Sequence, residues 1–339
     1  MFSTDTNASD TKEARRISSL SEIWGEPGTV TRGMWEVGGD LSGLHDAIPI
    51  IAVRGATDGP TLWIQGSIHG DEPNSSWVIT SLAKEVDPQE LKGRLLLVPI
   101  LNMAAFRDRT TFTPIDNVEL YRAFPGRPDG SYTYQLAFAI EQELMKLADY
   151  LIDVHSGTAI YFCTDFTSYP GELEASAVSE QMALAAGCPV VVRRLVRTEA
   201  ENHLMFMYAC SQGIPAIMIS NGGHRRVEPQ FTRPLMDQCL NVMRYIGILP
   251  GDFPPIDRSR LLEGIFYTHC KRGGFVFNEV NIGDWVVKDQ VLARLYDVFG
   301  NEVDVVRCPH EKAQVIETGT GVLHAGELVA EFFVPLNGK

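Results

Sequence analysis

Two short glycine-containing stretches carry side chains that bind metals. Gly66–Glu72 (GSIHGDE) follows the apolar run 61–64, and Asp153–Gly157 (DVHSG) follows the apolar run 150–152. Two imidazoles and one carboxylate, here His69, Glu72 and His155, are a common ligand set for a catalytic Zn²⁺ whose fourth position stays open for water. The spacing therefore predicts a hydrolase with one zinc ion.

Each half of this ligand set has a plainer explanation. A His-x-x-Glu pair is common on helix surfaces, but this one lies in a glycine-rich stretch after a strand, where Gly66 and Gly70 let the backbone turn. His155 by itself would be a buried histidine bonded to the backbone. Asp153 favours metal binding, because a carboxylate two positions away on a strand faces the same side and orients the imidazole from outside the metal site.

Composition narrows the class of protein. Hydrophobic residues are 45% and charged residues 21% of the 339-residue chain, which is typical of a packed globular protein with room for an appended module. The net charge of −14 disfavours a nucleic-acid groove, which needs clustered Lys and Arg. A small-molecule partner is the expectation.

Location is predicted from the N-terminus and the cysteines. The stretch 1–16 is polar, without the apolar segment of a secretory signal, and no run approaches the ~20 apolar residues that cross a bilayer. The six cysteines are dispersed, with no Cys-x-x-Cys pair. We expect a cytoplasmic protein without a membrane partner.

The apolar pattern divides the chain into three parts. Residues 48–256 alternate short apolar runs with amphipathic stretches, which predicts an α/β domain with a mixed, largely parallel sheet flanked by helices. Predicted strands cover 48–53, 61–64, 94–100, 150–154, 190–192 and 216–219, and predicted helices cover 134–147 and 235–245. The turn-rich segment 249–255 precedes an all-β module at 257–339, and residues 1–47 form an extension with the first strands. The three ligands fall at carboxyl ends of strands, where such folds bind ligands.

An ordered set of motifs resembles one known family. The motifs are Gly66–Glu72, Val98–Asn102 with Ala105-Phe106, Phe112–Asp116 with Arg122–Gly126, Asp153–Gly157 and Gly213–Ile217. They resemble the succinylglutamate desuccinylase and aspartoacylase family of the zinc carboxypeptidase-like superfamily. The resemblance implies one Zn²⁺ held by His69, Glu72 and His155, and hydrolysis of an amide bond in a small anionic N-acylated amino acid. Residues 273–292 resemble a lipoyl-like sandwich that caps the active-site entrance or makes homo-oligomer contacts.

Three positions depart from the family pattern. Ser220 stands where relatives usually carry the glutamate that acts as general base, and a serine hydroxyl does not replace a carboxylate near neutral pH. Thr111 stands where relatives often carry an oxyanion-stabilising arginine, and Tyr121 where they usually carry asparagine.

Because of these three departures, the sequence does not decide which residues catalyse the reaction. The candidates for the base are Glu201 and His224, and Arg109 is the candidate for stabilising the oxyanion. Arg122, Arg197 and Asn102 are the candidates for binding substrate in a pocket that Tyr121 narrows. The leading hypothesis is a zinc-dependent amidohydrolase. The alternatives are a zinc-binding protein that lost its base and a zinc carboxypeptidase acting on short peptides.

Overall fold

The computed structural model describes residues 14–39 and 46–336, so part of the predicted N-terminal extension lies outside the described residues. The described strands are β1 (Arg15–Ile17), β2 (Thr29–Val37), β3 (Asp46–Arg54), β4 (Thr57–Gly66), β5 (Lys92–Val98), β6 (Tyr150–His155), β7 (Tyr161–Pro170), β8 (Val191–Arg194), β9 (Ala216–Gly223), β10 (Leu261–His269), β11 (Gly274–Asn278), β12 (Trp285–Val287), β13 (Val291–Tyr296), β14 (Glu302–Arg307), β15 (Lys312–Gly319), β16 (Val322–Leu323) and β17 (Leu328–Pro335). The helices are α1 (Pro73–Glu85), α2 (Met103–Asp108), α3 (Tyr132–Leu147), α4 (Ser176–Ala185), α5 (Glu199–Asn202), α6 (Met205–Ser211) and α7 (Pro229–Tyr245), with short 3₁₀ segments at Leu20–Glu22, Leu120–Arg122 and Arg258–Arg260.

One large mixed sheet runs through the molecule in the order β1-β2-β3-β5-β4-β6-β9-β7-β8-β10-β17-β15-β12. Its centre, β5-β4-β6-β9, is parallel. Antiparallel pairs flank the centre, at β3–β5 and β7–β9. The mixed α/β sheet is confirmed, but "largely parallel" describes its centre rather than the whole sheet.

Helices cover both faces of this sheet, and the two predicted helices are confirmed as α3 and α7. α3 buries Leu136, Ile140 and Leu144, which share one helix face, in the core on one side. α7 buries residues such as Leu235 and Cys239 in the core on the other side. None of the described helices is long and apolar enough to cross a membrane.

The C-terminal part is built from strands, as predicted, but it is not detached from the main sheet. A second sheet, β14-β13-β11-β16, shares a core with β12, β15 and β17. β10 continues the main sheet beside β8, and β15 pairs with β7 as well as with β17. The strands β7, β8, β10, β17 and β15 therefore form a closed ring, with two strands from the α/β part and three from the C-terminal part.

Candidate metal centre

The two glycine-containing stretches meet at one edge of the sheet. β4 and β6 are parallel neighbours, with Gln65 opposite Asp153 and Gly66 opposite Val154. His69 and Glu72 follow the end of β4, and His155 is the last residue of β6. Neighbouring parallel strands thus bring together residues that are more than eighty positions apart in sequence.

The loop 66–72 takes its shape from close packing rather than from glycine turning. Ser67 has the positive φ of 45°, while Gly66 and Gly70 do not. A Cβ on Gly70 would lie 2.0 Å from the carbonyl carbon of Ala105 on α2, and the Gly70 N–H donates to the Thr110 carbonyl at 2.9 Å. Gly70 therefore lets the loop lie directly on α2.

Three buried side chains converge at this edge. Their potential ligand atoms, from His69, Glu72 and His155, lie within 4.8 Å of one another. The Glu72 carboxylate lies between the two rings, with Oε1 at 2.8 Å from Nδ1 of His69 and Oε2 at 3.2 Å from Nδ1 of His155. This set matches the donors of a catalytic zinc site.

A carboxylate stands behind each imidazole. Nε2 of His69 lies 3.1 Å from Glu119, whose other oxygen accepts from Nε of Arg122 at 2.8 Å. Nε2 of His155 lies 3.2 Å from Asp153, whose carboxylate also accepts from Gln65 at 3.1 Å. Backing carboxylates of this kind fix the ring orientation of metal-bound histidines.

The electrostatics of the cluster favour a cation. Burial alone lowers the pKa of His69, but the Glu72 and Glu119 carboxylates outweigh it and raise that pKa well above its usual value. Burial likewise opposes charge on His155, yet Asp153 and Glu72 raise its pKa to about 9. Burial also raises the pKa of Glu72, but the two imidazoles lower it to about 2. The buried negative charge therefore draws protons onto the rings where a metal cation would otherwise balance it.

A cavity of about 210 Å³ opens beside these three residues. Its walls on the α/β side include Thr111, Tyr121, Arg122 and Ser220. Every strand of the closed ring contributes to the opposite wall, through Phe166, Arg194, Ile265, Tyr267, Glu317 and Glu331. The C-terminal part thus contributes most of this wall, and β7 and β8 of the α/β part contribute the rest.

Among the predicted substrate residues, Arg122 and Tyr121 line this cavity. The Tyr121 ring is 5.4 Å from that of His69 and 4.9 Å from that of His155, and its buried hydroxyl has no hydrogen-bond partner among the described residues. Burial raises the pKa of this hydroxyl far above its usual range, so that it remains a donor.

The other predicted substrate residues and the predicted oxyanion arginine lie outside the cavity lining. Asn102 caps α2 by accepting from the Ala105 N–H, and it donates to Thr113 at 2.9 Å. Arg197 packs its guanidinium 4.0 Å from the centre of the Phe266 ring. Arg109 ends α2 in a left-handed conformation, with its carbonyl accepting from Arg225.

The two candidate bases also lie outside the cavity lining. Glu201 accepts from the backbone N–H groups of Arg197 and Thr198, at 2.6 and 3.0 Å, in a capping box. The ring of His224 packs on Phe162, with Nε2 at 3.3 Å from the Thr320 hydroxyl. The structure does not bring either residue to the three metal-binding side chains.

Sequence reasoning missed four charged residues of the cavity. Glu119 stands three positions before Arg122, which was singled out, and Arg194 belongs to the same arginine run as Arg197. Glu331 lies in the apolar run 328–333 of the predicted all-β module, where a charged residue was a usable signal. Glu317 lies on β15, a strand that the apolar pattern did not reveal.

Fold and site together define a class: α/β proteins with a buried His-Glu-His group suited to a metal ion at the carboxyl edge of the sheet, and with a C-terminal β part that lines the cavity. The model of the succinylglutamate desuccinylase/aspartoacylase catalytic domain matches residues 58–246. Because this match covers more than half of the chain, the chain belongs to that family, as its motifs predicted.

Individual relatives agree with this assignment. The N-alpha-acetyl-L-2,4-diaminobutyric acid deacetylase of Halomonas elongata is 26% identical over 278 residues, which cover 79% of this chain and 80% of that protein. The product-bound ectoine utilization protein EutE (DoeB) of Ruegeria pomeroyi has a TM-score of 0.81 at 25% identity, covering 90% of this chain and 95% of that one. A family member from Rhodobacter sphaeroides has a TM-score of 0.80 at 23% identity, covering 91% and 96%, and supports the fold.

Proposed function

We propose that this protein is a zinc-dependent deacylase that hydrolyses the amide bond of a small N-acylated amino acid. The observation that carries the proposal is the convergence of His69, Glu72 and His155 beside a cavity sized for a small molecule. Family membership and the deacetylase activity named for the Halomonas elongata relative support the same reaction class.

The residues present fit a zinc ion. Two imidazole nitrogens and a carboxylate face one point, and Glu119 and Asp153 stand behind the rings to hold them. Nε2 of His155 and the Asp153 oxygen 3.2 Å from it have no further hydrogen-bond partner in the described part of the chain, so Asp153 holds this ring from the side away from Glu72. A bound zinc ion supplies a Lewis acid that polarises a carbonyl and lowers the pKa of its water toward ~7.

Arginines at the cavity are proposed to bind the anionic part of the substrate. Arg194 is 5% exposed, and its Nε has no hydrogen-bond partner among the described residues. Arg122 lies at the same cavity, tied to Glu119. A guanidinium binds a carboxylate in bidentate fashion, so Arg194 and Arg122 are suited to fix a substrate carboxylate while Tyr121 limits the space beside the metal ligands.

A hydrolysis assay tests this function. The protein, with and without added zinc, is given a panel of N-acetyl and N-succinyl amino acids, including N-acetylated diamino acids, together with short peptides. We expect hydrolysis of at least one N-acyl amino acid, abolished by chelation and restored by zinc. His155→Gln should lose zinc and activity together, whereas His269→Gln, at an exposed histidine, should keep both.

The same assay separates the alternatives. A folded, zinc-loaded protein that is inert on the whole panel supports the non-catalytic binding role that Ser220 suggested. Preferential cleavage of peptides supports a carboxypeptidase. The cytoplasmic location and the formation of a homo-oligomer stay predictions.

A further inference from the structure

The carboxylates that line the cavity differ in the ion pairs and hydrogen bonds that they make. Of those that line it in the described structure, Glu72 is placed between the two imidazoles and also accepts from the Ser156 N–H at 3.0 Å. Glu119 is held between His69 and Arg122. Glu317 and Glu331, both from the C-terminal part, remain without such a role.

A β-bulge directs Glu317 toward the cavity. On β15, Val315 pairs with Phe332 but Glu317 pairs with Glu331, so Ile316 is an extra residue. In a regular strand Glu317 would share the face of Val315, which is buried in the core between the two C-terminal sheets. Ile316 faces the α/β core, opposite to Val315, and the bulge turns Glu317 to the cavity wall instead of the C-terminal core, as bulges do where a side chain must be re-aimed.

The two glutamates form a cross-strand pair of like charges. Glu317 and Glu331 stand directly opposite each other on β15 and β17, and both line the cavity, so a proton shared between the two carboxyl groups would relieve their repulsion. A like-charged pair at this position destabilises a sheet. Burial, and for Glu317 the charge of Glu331, raises the pKa of both carboxyls, that of Glu331 to about 7.

Charged groups from several elements surround the pair. Glu72 and His69 of the metal loop act on Glu317, whereas Arg194 of β8 and Arg122 act on Glu331. All six residues line the same cavity, so the pair shares that space with the metal-ligand candidates and the proposed carboxylate-binding arginines. Arg194 is buried, and its Nε has no hydrogen-bond partner within residues 14–39 and 46–336, which is an independent indication that this wall faces a ligand.

Other groups near Ser220 are poor proton acceptors. Ser220 lies opposite His155, and its hydroxyl is 3.1 Å from the Cys163 sulfur. Burial and the Glu317 charge raise the pKa of Cys163 well above its usual value, so the thiol stays protonated. Cys163 is also the residue directly opposite Glu317 across β7 and β15.

We propose that Glu317, held by Glu331, accepts the proton of the attacking water during amide hydrolysis. The water oxygen forms a bond to the acyl carbon while one water proton moves to the carboxylate. The C–N bond then breaks as the leaving nitrogen takes that proton from Glu317, which regenerates the carboxylate side chain. A carboxylic acid, which keeps the second water proton, and an amine are released, and that second proton passes from the acid to the amine or to solvent. This inference rests on the proposed function. In it, Glu331 does not contact the reacting atoms but positions the Glu317 carboxylate.

Substitution kinetics test this role with the zinc-loaded full chain. Glu317→Gln should lower kcat by about 10²–10⁴-fold, the usual contribution of a general base, with KM and zinc content little changed. Glu311→Gln, at an exposed carboxylate of the same C-terminal part, is the matched control and should keep wild-type kcat.

Glu331→Gln should change the pH dependence of the reaction, which a purely structural role of Glu331 would leave unchanged. It removes the negative neighbour that favours protonation of Glu317, so the acidic limb of the kcat/KM profile should move to lower pH. Infrared difference spectra of the zinc-free protein should also lose the C=O band of a buried protonated carboxyl in either variant. An unchanged limb and an unchanged band would overturn the shared-proton pair.

Three kinetic outcomes would overturn the role of Glu317. The first is full kcat in Glu317→Gln, and the second is an equivalent loss in Glu201→Gln or His224→Gln instead. The third is a rise in KM confined to substrates with a free ammonium group, which would make the pair a cation-binding site. If the wild-type protein hydrolyses no N-acyl amino acid, the proposed function itself is wrong. If the wild type is active and Glu317→Gln is equally active, only the role of Glu317 is wrong.

Discussion

Two arginines three positions apart, Arg194 and Arg197, make different contacts. Arg197 packs on the Phe266 ring and donates to the Ile265 carbonyl at 3.3 Å. Its guanidinium is therefore engaged by two residues of the C-terminal part. Arg194, the last residue of β8, is buried at the cavity. We therefore propose Arg194, rather than Arg197, as the residue that binds the substrate carboxylate.

Arg194→Gln should reduce kcat/KM on an N-acyl amino acid by about 10–100-fold, since a hydrogen bond to a charged group contributes about 1.5–3 kcal/mol. The loss should appear mainly in KM, because Arg194 binds substrate rather than the reacting bond. Steady-state kinetics measure it, with the corresponding substrate amide, which lacks the carboxylate, as the reference. A larger loss in Arg197→Gln than in Arg194→Gln would contradict the assignment.

The loop between β4 and α1 carries two of the three candidate metal ligands, His69 and Glu72. It is anchored by the contact of Gly70 with α2 and by the Ser67 N–H, which donates to the Ser75 hydroxyl at 2.8 Å. The sequence analysis attributed the glycines to turning of the backbone, whereas Gly70 is needed for a reason that the sequence did not contain, the position of α2 against the loop.

Gly70→Ala should therefore destabilise the protein by about 1–3 kcal/mol through overpacking and also weaken zinc binding. The added methyl meets the backbone of Ala105, which does not yield as a side chain would. Gly283→Ala is the control: its methyl meets nothing within 4 Å, and its φ of +92° carries only a left-handed strain of about 1–2 kcal/mol. Thermal unfolding and a zinc competition titration measure the two effects, and unaltered zinc affinity in Gly70→Ala would contradict the role of the contact.

At the scale of the whole molecule, the closed ring joins the two predicted domains. Leu262 and Phe333 of the C-terminal part are buried in one α/β core, and Leu261 is buried in the other. The cavity has walls from both parts, so the site is complete only when the ring is formed.

We expect the α/β and C-terminal parts to unfold in one cooperative transition, because separating them would expose the shared cores and the edges of β7 and β8. Scanning calorimetry of the full chain measures this, with the ratio of calorimetric to van't Hoff enthalpy as the criterion. Two resolved transitions would show that residues 48–256 and 257–339 are independent domains, as the turn-rich segment 249–255 predicted.

The candidate metal ligands, two helices and the family could be predicted from the sequence because each depends on local patterns or on their order. His69, Glu72 and His155 were identifiable because ligand types and strand-end positions are local properties, and α3 and α7 because an amphipathic period is local too. The family followed from the order of the motifs, and the family model confirms it.

Tertiary structure decided what surrounds those residues. The bulge at Ile316, the ring closure between β15 and β7, and the pairing of Glu317 with Glu331 join segments that lie far apart in the chain. A one-residue register shift changes which face a side chain occupies, and no local pattern encodes it. The sequence thus determined where a metal would bind, whereas only the fold decided which charges face it.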